Sequence, residues 1–123
     1  VSRREAARVK WAGTMTTQRR RQVMFGTIAR ATLKPGKRQR LDEFMEEWRR
    51  DMRPKVPGSF LELVGHQAGK PDQIVFVALA QDEPTYRRLA AMPEQHEFYL
   101  RFNEVFEGEP AWEDVELDIR IDD

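Results

Sequence analysis

The chain is 123 residues long, 40% hydrophobic and 34% charged, with 21 basic and 21 acidic side chains. That length suits one domain around one core, and the composition is that of an ordinary soluble chain. It has no cysteine and only two histidines, His66 and His96, which excludes disulfides, thiolate metal sites and a cysteine nucleophile and leaves too few ligands for an ordinary zinc site.

The even charge balance hides an asymmetry. Residues 1–22 carry seven basic side chains and one acid, Glu5. The spacing predicts a basic, flexible N-terminal arm over 1–22 and one folded domain over 23–123. A nucleic-acid contact made by the arm is the alternative to a merely solvated tail. Met15 and Met24 both stand close before the first strand, so the translation start is open among Val1, Met15 and Met24. No apolar run approaches the roughly 18 residues of a membrane span. No apolar segment behind the basic residues resembles a secretory signal. A cytoplasmic protein is expected.

In chain order, residues 23–33 alternate as a strand. Phe25, Thr27, Ala29, Ala31 and Leu33 share one face. Residues 36–52 read as a helix with an apolar stripe of Leu41, Phe44, Met45, Trp48 and Met52, stopped by Pro54 and Pro57. A second strand spans 59–67. A turn over 68–72 leads to a third strand at 73–80, apolar on both faces and therefore central. A helix over 83–91 starts at Asp82 as N-cap and carries Tyr86, Leu89 and Ala90 inward. A further helix runs from Pro93 to about Glu107, with Gly108 and Pro110 closing it. A fourth strand at 111–121 sets Val115, Leu117, Ile119 and Ile121 against Trp112, Asp114, Glu116 and Asp118. The order β-α-β-β-α-β is that of a ferredoxin-like α+β fold with an antiparallel sheet. Two helix layers on one side leave a greasy sheet face over, so a homodimer through that face is predicted, closing into a dimeric α/β barrel.

Three stretches carry a family resemblance: "FGTIARATLKPGKRQRLDEFMEEW", "VPGSFLEL" and, most specific, "PEQHEFYLRFNEVFEGEPAWEDVEL". The last matches a run of Pro93, Gln95, Phe98, Tyr99 and Arg101 leading to Trp112 and Asp114. From about Val23 to Ile121 the chain resembles the antibiotic biosynthesis monooxygenase domains of the dimeric α/β-barrel superfamily. The resemblance implies a small cofactor-independent monooxygenase acting on an aromatic, polycyclic phenolic or quinol-type molecule. Two positions depart from the pattern. Gln81 stands where members often carry tryptophan, and Ala90 where many carry histidine. The first strand lacks the asparagine of the haem-degrading relatives, so haem degradation is not expected. These departures keep open a non-catalytic, small-molecule-binding or stress-associated dimer.

On a helix at 100° per residue, His96, Tyr99, Leu100 and Asn103 share a face opposite Phe98, Phe102 and Val105. His96, with His66 as the alternative, is the expected base, and Tyr99, with Tyr86 as the alternative, the expected hydrogen-bond donor. His66, Tyr86 and Asn103 are further pocket residues, with a half-exposed surface as the alternative for the His-Tyr-Asn face. Glu62, between Phe60 and Val64, reads as an edge or dimer-interface charge. The chain has no Gly-rich phosphate loop, no G-x-S-x-G elbow and, outside the arm, no basic patch interleaved with aromatics. Nucleic-acid binding by the folded body is therefore not expected, nor is a metal or organic cofactor.

Overall fold

A computed structural model describes residues 22–122, so the reading of a basic arm falls almost wholly outside the described residues. Four strands and three helices follow in the order β1 (Gln22–Leu33), α1 (Arg38–Asp51), a single 3-10 turn (Arg53–Lys55), β2 (Phe60–Gln67), β3 (Lys70–Ala80), α2 (Glu83–Ala90), α3 (Pro93–Asn103) and β4 (Phe106–Ile119). The sheet is antiparallel throughout, in the order β2-β3-β1-β4. This is the ferredoxin-like arrangement, with its second helical layer broken in two by Pro93. Among the described residues, no helix is long and apolar enough to cross a membrane.

All three helices lie on one face of the sheet. Leu41 and Phe44 of α1 join Leu33, Ile74, Val105 and Phe106 in the main core, and Leu89 of α2 joins Met52 and Val56 in a second cluster. Asp82 caps α2 by accepting from the Thr85 backbone N–H at 3.0 Å. The opposite face of the sheet carries apolar residues on all four strands, interrupted by Glu113 of β4 beside Ile28 and by Arg30 of β1. Leu61, Leu79, Gly26 and Val115 form one row, with Leu63, Val77 and Ile28 beside it. Leu79 is buried there, while Leu63 is 55% exposed. The dry side of β4 (Val115, Leu117) belongs to this face. Gly26 sits where β1 and β3 press together. A Cβ there would run into the Ala78 carbonyl oxygen and stand 2.7 Å from the Leu79 Cα.

Three element boundaries differ from the sequence reading. The turn before β3 is two residues, Ala68 and Gly69, because Gly69 takes φ +77° and closes the hairpin at once. Pro71 then lies inside a register break between the His66 and Gln67 pairings, where a missing N–H costs no ladder bond. Helix α3 ends at Asn103, four residues before the expected Glu107. Val105 and Phe106 are drawn into the main core, at 2% and 3% exposure, and Phe106 already pairs with Leu33. Gly108, at φ +72°, and buried Pro110 therefore do not stop a helix. They lie in β4, where the register to β1 shifts between Arg30 and Thr32.

Candidate functional site

The register that builds the sheet also builds a hollow. On the helix-facing side, Glu62, Ala78, Thr27 and Asp114 form one row across β2, β3, β1 and β4. Small side chains in the middle and longer ones at the ends give a depressed floor. The neighbouring rows carry larger groups, Phe76 and Trp112 on one side and Phe60 and Phe25 on the other. Above this floor the helices do not close. The result is a cleft of about 390 Å³, within the range of roughly 300–1,000 Å³ that suits small-molecule sites.

Its walls are aromatic. Trp48 of α1 packs on Phe60 with ring centroids 4.9 Å apart, and its indole N–H donates to Gln95 Oε1 of α3 at 2.7 Å. That bond ties α1 to α3 across the cleft. Tyr99 stands against Trp112 at 5.6 Å, and Tyr86 against Phe25 at 5.4 Å in an edge-on contact. Of the run that carries the family resemblance, Gln95, Phe98, Tyr99, Trp112 and Asp114 all line the cleft. Arg101 instead turns outward to Glu47 at 3.2 Å.

The titratable groups in the lining differ in their surroundings. Burial pushes the Tyr86 phenol up, and the nearby Asp114 carboxylate adds to the effect against a hydrogen bond from Thr27. Tyr86 is therefore a firmly protonated donor at neutral pH. Burial also raises the Glu62 carboxyl above the ordinary range, with Arg49 opposing and Glu46 reinforcing the rise. The Glu62 side chain is only 12% exposed, and its contact to Arg49 is long, at 3.5 Å. Asp114 is far more exposed and held by Arg87 at 3.2 Å.

The structure brings three of the expected residues together. His96, exposed at the mouth, and half-buried Tyr99 follow each other on α3 with ring centroids 6.4 Å apart; Tyr86 faces the same space from α2. Two others stand elsewhere. His66 is exposed near the β2–β3 hairpin, with Nδ1 3.0 Å from the Gln67 carbonyl oxygen, and does not line the cleft. Asn103 closes α3 away from the cleft, its Oδ1 buried without a hydrogen-bond partner among the described residues. Leu100 also points off the cleft and is 52% exposed.

Glu62 lies on the edge strand β2, as its alternation suggested, and its side chain also forms one end of the cleft floor; Trp48, Phe44 and Met45 are both core and wall. The signal for Glu62 was its alternation with Phe60. That placed it on the helix side, opposite small residues of the neighbouring strands. Among the described residues, no three His, Asp or Glu side chains are grouped to hold a metal ion.

Solved structures share this fold. A conserved protein from Methanosarcina mazei Go1 superposes with a TM-score of 0.64 at 15% identity, over 76% of this chain and 91% of that one. A candidate antibiotic biosynthesis monooxygenase from Caulobacter crescentus CB15 gives 0.63 at 14% identity, over 76% and 89%. SnoaB, a cofactor-independent oxygenase from Streptomyces nogalater, gives 0.54 at 17% identity, over 82% and 96%. No family model matches the sequence, and comparison with curated proteins gives no match. The chain thus carries the fold of the antibiotic biosynthesis monooxygenase structures.

Proposed function

We propose that the protein is a cofactor-independent monooxygenase that oxidises an aromatic phenol or quinol held in the helix–sheet cleft. The observation that carries this reading is the cleft itself: aromatic side chains from six elements surround a floor with Ala78 and Thr27 at its centre and the carboxylates Glu62 and Asp114 at its two ends. Such a space takes a flat, apolar molecule and orients it by a handful of hydrogen bonds. The shared fold with a cofactor-independent oxygenase adds support.

The substrate carries an acidic methylene beside phenolic rings. A base removes one C–H proton, and the resulting carbanion, stabilised by the rings, gives electrons to molecular oxygen. A carbon–oxygen bond forms and the oxygen–oxygen bond breaks. One oxygen stays as a carbonyl and the other leaves as water with the two methylene hydrogens. The substrate is oxidised and oxygen is reduced, with no other reductant. Tyr86 donates to a substrate oxygen at the floor, while His96 and Tyr99 hold the end at the mouth. The aromatic walls keep water from the carbanion.

A second copy of the chain covers the open sheet face in this reading. Burial of Leu63, Val77, Ile28 and their neighbours in a two-fold contact would contribute about 1.5–3 kcal/mol for each large side chain fully removed from water.

Oxygen uptake with hydroxylated anthrones and quinols tests the activity. Uptake above background, reduced in His96→Ala and Tyr99→Phe, is the expected result. A second reading, ligand binding without turnover, is favoured by Ala90, a small inert residue in the cleft wall where the resembled family often places histidine. Tight binding with no uptake by any substrate selects it.

A further inference from the structure

We infer that Glu62, and not a histidine, is the group that accepts the substrate's proton in the cleft. The inference rests on the reading of the cleft as the substrate site.

Five ionisable side chains line the cleft: Glu62, Tyr86, His96, Tyr99 and Asp114. A proton acceptor must be basic at working pH, face the ligand and be shielded from water. Burial pushes the Tyr86 phenol up and makes it a donor, and Tyr99 serves as the hydrogen-bond donor at the mouth. His96 is exposed at the mouth, where bulk water competes for its ring. Asp114 is 47% exposed and engaged by Arg87. Glu62 alone meets all three requirements. Its side chain is 12% exposed, it projects from the floor beside the Trp48–Phe60 ring pair, and its ion pair is a single 3.5 Å contact.

The charges around Glu62 fit the role. Arg49 and Glu46 reach it from α1, with opposite effects on its carboxyl. Arg53, from the 3-10 turn, shares the small depression behind Phe60 and Glu62 but spends its guanidinium on the carbonyl oxygens of Val56 and Gly58. His96 and Asp114 face the same cleft. Burial leaves the carboxylate a better base than an exposed one, because its charged form is poorly solvated. Arg49 opposes the rise and favours the anion.

The step can be observed without oxygen. Under argon in D2O, the full chain is mixed with 1,8-dihydroxyanthrone, and NMR follows exchange of the methylene protons for deuterium. Binding is measured separately by quenching of tryptophan fluorescence. Wild type is expected to accelerate exchange. Glu62→Gln, its fold checked by circular dichroism, binds equally but loses about 100-fold or more of the exchange, the scale of a general base. His66→Ala, outside the cleft, leaves exchange unchanged. Arg49→Gln moves the acid limb of the exchange–pH profile to higher pH, a shift that a purely structural Glu62 would not produce. Full exchange in Glu62→Gln overturns the inference and leaves the cleft intact. So does binding by wild type without any acceleration. Failure of the probe to bind removes the cleft reading and this inference with it. Exchange that depends on Glu62 without oxygen uptake in air sustains the inference and sinks the monooxygenase.

Discussion

Filling the cleft floor separates a built hollow from an accident of loose packing. Ala78 lies in the middle of the floor, between Glu62 and Thr27 in register. Ala78→Leu adds three carbons that project between the aromatic walls. At about 0.8 kcal/mol per buried methylene, full burial would add roughly 2.4 kcal/mol of stability. The cleft is open on one side, so about 1 kcal/mol is expected. For a domain of this size that raises Tm by about 4–8 °C. The same side chain occupies the ligand's place, so affinity for 1,8-dihydroxyanthrone should fall at least tenfold. Urea denaturation at unchanged m-value gives the stability, and fluorescence titration gives the affinity. A loss of about 1–3 kcal/mol, the usual cost of overpacking, with unchanged affinity would refute the reasoning, because the floor would then be ordinary core.

Gly26→Ala should destabilise by about 1–3 kcal/mol in denaturant melts, since its Cβ meets the backbone of β3 and not a movable side chain; a neutral result would mean the strands separate easily. Glu62→Gln should raise Tm at pH 7.5 relative to wild type. The folded carboxyl is raised by burial, so wild type is most stable when Glu62 is protonated and loses stability as pH climbs from the ordinary carboxylate range through the raised value. The advantage of the amide should vanish near pH 4, and an advantage that persists there would contradict the assigned cause. Leu63→Glu, on the open sheet face, should convert a dimer of twice the 14.5 kDa chain into monomers by light scattering; a wild type that is already monomeric at micromolar concentration excludes the sheet-to-sheet contact.

Much of the fold was legible because periodicity reports burial. The double-faced run of β3 marked it as interior, and the stripe from Leu41 to Trp48 marked the inner side of α1. The missed boundaries share one cause. Val105 and Phe106 continue the apolar phase of α3, so no local signal separates helix from strand; the core at Leu33 and Ile74 decides it. The site was legible only where helix phase sufficed. Tyr99 and His96 follow from the turn of α3. Glu62 depends on which neighbours of β2 are small, and that is set by register to β3 and β1, which no single segment encodes. Asn103 was drawn into the predicted face by helix phase, yet the chain leaves the helix at that residue.

A crystal structure of the protein with a bound dihydroxyanthraquinone, the expected type of product, would locate the substrate site. Density for the flat ring system is expected over Ala78 and Thr27, between Trp48 and Trp112, with an oxygen within hydrogen-bond distance of Tyr86. A quinone bound elsewhere, with the cleft filled by the protein's own side chains, would contradict that placement.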